Sequence, residues 1–170
     1  MRTKKTLLVI ALGVVLLFTG TASAADIRGT ISSTLVITQD SQLVGDVTCT
    51  VSGAACISFG ASGISLRLNG FSITGQADPI AGCAGISNFN EVGILLNNVR
   101  GAVIQGPGVV RQLRGAGVYL TGGSSRVRVR LVTVSTNCTS GLLVGHSSDN
   151  ELEANISVRN GSNMFPCGGI

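Results

Sequence analysis

GILLNN at 93–98, GVYLTG at 117–122 and GLLVGH at 141–146 are one phrase written three times. Gly93, Gly117 and Gly141 stand 24 residues apart, and matching apolar columns follow each glycine: Ile94, Val118 and Leu142; Leu95, Tyr119 and Leu143; Leu96, Leu120 and Val144. Later in each unit Val110, Val134 and Val158 correspond. A period in the low twenties marks a chain wound into stacked coils, with equivalent residues one strand spacing, about 4.8 Å, apart. Neighbouring coils then complete one another's hydrogen bonds and core. The expectation is an all-β solenoid with coils of about 24 residues.

Upstream, ISLRLNGFSITG at 64–75 alternates with period two, turning Ile64, Leu66, Leu68 and Ile73 inward and making a turn of Asn69-Gly70. Residues 25–63 repeat less clearly, with short β-rich pieces at 35–38 and 44–48 between polar and glycine turns. They read as an N-terminal cap and a first incomplete coil, because terminal units must cover the raw end of a stacked core. Between Gly75 and Gly93 the chain spends more residues than a regular turn needs, including Asp78-Pro79 and Cys83-Ala84-Gly85. A loop protruding from one corner is expected there, either a binding element or a plain surface excursion. At the other end Gly169-Ile170 looks like the opening of a further coil. Residues 64–170 therefore read as coils of a longer solenoid, or as a stack whose last edge a partner covers.

Residues 1–24 have the form of a bacterial-type secretory signal: Arg2, Lys4 and Lys5, an apolar run at 7–18, then Ala22-Ser23-Ala24. The run is shorter than the roughly 20 residues that span a bilayer. Cleavage after Ala24 removes both lysines, leaving nine arginines against eight acids, so the pI of about 9.1 belongs to the precursor. The near-neutral remainder gives no electrostatic reason for nucleic acid or an anionic membrane as partner. The expected location is secreted, periplasmic or cell-surface. All five cysteines lie in the exported part, where disulfides persist. Cys49 and Cys56 flank the turn Ser52-Gly53-Ala54 and are expected to bond, contributing about 2–3 kcal/mol by closing a short loop. Cys138 and Cys167 each precede a coil start and can stack within reach, which leaves Cys83 over. With one histidine and no Cys-x-x-Cys, no metal site is expected.

VGDVTCTV at 44–51, GISLRLNGFSITG at 63–75 and the coils opening on Gly-Ile or Gly-Leu resemble the right-handed parallel β-helix repeat proteins of the pectate-lyase-like superfamily. The first full coil in that family commonly reads close to L-D-L-N-G-H-T-I-T-G; here Arg67 stands where an acid is frequent and Phe71 where histidine is. The resemblance runs from about Val36 to the end and implies the fold. Its members include pectate lyases, polygalacturonases, alginate epimerases, phage tailspikes and a periplasmic copper-binding group, so it leaves the activity open.

Hydrolysis of the polygalacturonase kind needs clustered carboxylates, and no Asp-Asp or Asn-Thr-Asp occurs; Gly145-His146-Ser147 is the nearest approach to that family's Gly-His-Gly, and a turn histidine accounts for it. Lyase chemistry would use an arginine base with calcium on carboxylates. Arg126, Arg128 and Arg130 alternate on one strand, as do Asp149, Glu151 and Glu153. A shift of 23 lays each arginine over an acid and Val129 over Leu152, which predicts an outward ion ladder that holds register rather than a calcium site. Leu95, Tyr119 and Leu143 lie between inward columns; they form either an outward stripe able to receive sugar rings, or a row covered by bends and loops. Asn137, Asn155 and Asn160 match N-x-[ST] but are read as turn asparagines that stack in ladders. No catalytic residue or cofactor is assigned. The expected function is a secreted, non-catalytic scaffold or adhesin-like module that contacts polysaccharide or a further β-helix segment. The alternative is a polysaccharide lyase or hydrolase, with calcium in the lyase case, whose catalytic groups lie mostly beyond this chain.

Overall fold

The computed structural model describes residues 23–77, 83 and 89–161, and their regular structure is entirely β. One sheet contains β1 (Ala25–Ile31), β3 (Ser41–Cys49), β5 (Ser65–Arg67), β6 (Ser72–Thr74), β8 (Val103–Arg111), β10 (Arg128–Ser135), β12 (Glu151–Glu153) and β13 (Ile156–Val158). The other contains β2 (Leu35–Ile37), β4 (Ile57–Phe59), β7 (Ile94–Asn97), β9 (Val118–Thr121) and β11 (Leu142–Val144). The first runs β1-β3-β5-β8-β10-β12, with β6 beside β3 and β8 and β13 beside β10; the second runs β11-β9-β7-β4-β2. Parallel neighbours cannot be joined by a hairpin and need a crossover. Here each crossover passes through the opposite sheet, so the chain alternates between the two.

Each inward column is a row of register partners. Leu66, Ile104, Val129 and Leu152 align across the first sheet, and Val47, Ile73, Val110 and Val134 align in a second row. Ile57, Ile94, Val118 and Leu142 face them from the other sheet. Most of these side chains are fully buried, and each contributes about 1.5–3 kcal/mol of apolar burial. The spacing in β7, β9 and β11 is 24 residues. Between β8 and β10 it changes from 25 to 24, because Gly106 and Pro107, joined by a cis bond, stand opposite the single Leu131. Between β10 and both β12 and β13 it is 23. That shorter unit places Ser157, not Val158, over Val134, and Val158 is left exposed.

Gly93, Gly117 and Gly141 stack because the space has no room for a side chain. A Cβ on Gly93 would lie 2.6 Å from the Gly117 carbonyl, and one on Gly117 would lie 2.8 Å from the Gly141 carbonyl. The three have ordinary φ, so the requirement is steric.

The corners are held by asparagines. Asn150 Oδ1 accepts the Val127 N–H at 2.9 Å, while its Nδ2 donates to the Ser124 carbonyl. Asn155 does the same for Val132 N–H and Val129 carbonyl, and Asn160 for Asn137 N–H and Val134 carbonyl. Asn137 in turn serves Leu113 N–H and Val110 carbonyl. Each amide thus bridges residue i and residue i−3 of the preceding turn of chain, across a left-handed residue at i−1: Arg126, Leu131, Thr136 or Gln112. The bend removes these backbone groups from the strand ladder, and the side-chain amide supplies the missing partners. The amides of Asn137, Asn155 and Asn160 are occupied in this way, and Asn137 is fully buried.

Two disulfides tie the loops. Cys49 bonds Cys56, with Cα atoms 5.9 Å apart. Cys138 bonds Cys83, with Cα atoms 5.4 Å apart, rather than Cys167, which lies outside the described residues. The reason is spatial: Cys83 lies against the turn holding Cys138, and both pack with Ala77. Cys83–Cys138 spans 55 residues and Cys49–Cys56 spans 7, so the loop-closure contributions are about 4 and about 2 kcal/mol. The registers β4 with β7 and β6 with β8 widen to 37, absorbing the extra chain after Gly75. Residues 78–82 and 84–88 of the expected corner loop, and the expected signal apart from Ser23 and Ala24, lie outside the described residues.

Candidate binding groove

The outward face of β7 and β9 forms the floor of a groove of about 350 Å³. Register fixes its order: Leu95 pairs with Tyr119, and Asn97 with Thr121, so an apolar row lies beside a polar one. Gly53, Ala54 and Ala55, inside the Cys49–Cys56 loop, build one wall; Phe89, Asn90 and Val92 contribute another. Leu95, Tyr119 and Leu143 are half-buried against Ala55, Val92 and Ala116. The row is thus neither a bare stripe nor a covered one, because loops close over one margin while Phe89 remains 54 % exposed.

Glu91 joins the walls. Its Oε1 accepts the Gly53 N–H at 2.8 Å and the Ser52 hydroxyl at 3.3 Å, and its Oε2 pairs with Arg114 Nη1 at 3.2 Å. The carboxylate side chain is 8 % exposed. A charge so buried persists only with partners, and here they come from the loop on one side and the turn after β8 on the other. Neither Glu91 nor Arg114 stood out in the sequence. The available signal was their separation of 23 residues, the spacing that also relates Arg128 to Glu151.

The expected ion ladder forms in part. Arg128 lies beside Glu151 and Arg130 beside Glu153 in the β10–β12 register. Arg128 Nε reaches Glu151 Oε2 at 2.6 Å, and this bond raises the arginine pKa above its ordinary value. Arg130 Nε instead donates to Gln105 Oε1 on β8. Arg126 and Asp149 are left-handed corner residues outside the strands, so the ladder does not include them. Among the described residues, Arg128–Glu151 is the one salt bridge of the expected three. With both side chains about half exposed, water screens the pair and its contribution to stability is small.

A shallow depression of about 330 Å³ lies beside Gly101, Arg126, Arg128, Asp149 and Glu151. Among the described residues, no three histidine, cysteine or acidic side chains are grouped to hold a metal. His146 is an exposed corner residue with φ of 51°, and its carbonyl accepts the Gly123 N–H. A depression of about 460 Å³ at β1 and β2, walled by Ile27, Ile31, Leu35 and Ile37, is the end of the core at the edge strands. No helix among the described residues is long and apolar enough to cross a membrane. Comparison with protein-family profiles, with curated proteins and with solved structures finds no match.

Proposed function

We propose that the chain is a right-handed parallel β-helix exported to an oxidising compartment, where it serves as a non-catalytic scaffold or adhesin-like module that holds polysaccharide. The alternation between two parallel sheets and the residue spacings of 23 to 25 support the fold. Two disulfides support an oxidising location. The observation that carries the function is the groove over β7 and β9, in which Tyr119 and Leu95 offer an apolar surface beside the amide and hydroxyl of Asn97 and Thr121. Sugar rings present that same pairing of apolar face and polar edge. Tyr119 is the single tyrosine of a chain without tryptophan, so its fluorescence reports the groove directly. Titration with soluble polysaccharides should change Tyr119 emission saturably; a panel that leaves emission and gel mobility unchanged would refute the reading.

A second reading, a polysaccharide lyase or hydrolase completed by residues beyond this chain, draws on the depression beside Arg126, Arg128, Asp149 and Glu151. Release of unsaturated or reducing sugars, with and without calcium, decides it.

A further inference from the structure

We infer that the groove selects an uncharged carbohydrate and excludes uronate polymers, an inference that rests on the polysaccharide-holding reading above. Among the described residues that line the groove, none is an acid, an arginine, a lysine or a histidine. The charge nearest in sequence, Glu91, is not free to meet a ligand: its carboxylate is buried and engaged by Gly53, Ser52 and Arg114. The arginine-bearing strand β10 belongs to the other sheet. A uronate entering the groove would surrender hydration of its carboxylate and meet no cation, a loss that burial makes large.

An uncharged sugar meets complementary chemistry at each position. Its C–H face lies on Tyr119 and Leu95, and its hydroxyls reach Asn97 and Thr121, groups that both donate and accept. The two rows are in register across β7 and β9, so a chain laid along the stack meets an apolar and a polar contact at each strand. Gly53, Ala54 and Ala55 keep the facing wall low. The site is therefore built for shape and hydrogen bonding rather than for charge.

The test uses the full chain with its disulfides intact, in affinity gels containing neutral polymers (β-glucan, galactan, galactomannan) or acidic ones (polygalacturonate, alginate), each at low and high salt. Retardation by at least one neutral polymer, insensitive to salt, is expected, with no retardation by the acidic ones. Asn97→Ala and Thr121→Ala, at positions outside the core, should each weaken it; Tyr119→Ala should weaken it about tenfold or more; Arg128→Ala should not alter it. Retardation by acidic polymers alone, abolished by salt, would overturn the choice of ligand while leaving the polysaccharide reading intact. Binding to neutral polymers that survives all three groove substitutions would overturn the assignment to this groove. Retardation by none of the polymers would overturn both readings.

Discussion

Replacing Asn137 by alanine removes the amide that serves two turns of chain at once. Asn137 Oδ1 accepts the N–H of Leu113 at 3.1 Å, and Nδ2 donates to the Val110 carbonyl at 3.3 Å and to Asn160 Oδ1 at 2.9 Å. The side chain is wholly buried, as is Val110, and Leu113 is 3 % exposed. Water therefore cannot take over the stranded backbone groups. Each buried polar group left unpaired costs about 1–3 kcal/mol, so Leu113 N–H and Val110 carbonyl together imply a loss of about 2–6 kcal/mol. At about 2–4 °C per kcal/mol for a chain of this size, the melting temperature should fall by roughly 10 °C. Asn155→Ala is the comparison, because it removes the same bridge, from Val132 N–H to Val129 carbonyl, at a half-buried corner. There water can substitute, and about 1 kcal/mol is expected. Denaturant unfolding of the oxidised proteins, at equal disulfide content, measures both. If Asn137→Ala costs no more than Asn155→Ala, burial is not what makes the corner amides matter and the reasoning fails.

Gly117→Ala should destabilise by about 1–3 kcal/mol through overpacking, because the new methyl meets Gly141 O and Asn137 Nδ2 at 2.8 Å; an unchanged unfolding midpoint would refute the steric account of the glycine column. Glu91→Gln keeps the shape but leaves Arg114 without its counter-charge. A loss of about 2–3 kcal/mol is expected, below the full cost of breaking a buried pair because Arg114 is 25 % exposed. Acrylamide should then quench Tyr119 emission more readily, and unaltered quenching would show that Glu91 does not position the groove. The backbone N–H and hydroxyl of Ser72, at 2.8 and 3.0 Å, hold the Asp46 carboxyl below its ordinary pKa. The folded state therefore binds that proton less readily than the unfolded one. Its contribution is present above the unfolded pKa of about 3.9 and is lost as pH falls through the lower folded value. A carboxyl titration by NMR should place the Asp46 midpoint below that reference; a midpoint above it would contradict the geometry.

Much of the architecture was legible because the chain repeats. Once Ile94, Val118 and Leu142 recur at a fixed interval, their alignment follows from stacking alone, and parallel pairing with it. The same holds for the 23-residue match that puts Arg128 beside Glu151. A period states which residues are neighbours along the stack, yet it does not state which side chains close on each other, and Arg130 turned to Gln105 instead of Glu153.

What the sequence by itself determined is what local patterning controls: strands rather than helices, the inward columns except at Val144 and Val158, which are exposed, the Asn69-Gly70 turn, and the short-range Cys49–Cys56 pairing. Only the tertiary structure decided the Cys83–Cys138 bond, the Glu91–Arg114 pair and the groove between Phe89 and Tyr119. Each of these depends on where the extra chain after Gly75 returns to the stack. Cys83 follows no period: packing against Ala77 and the bond to Cys138, rather than alternation along a strand, hold it in place.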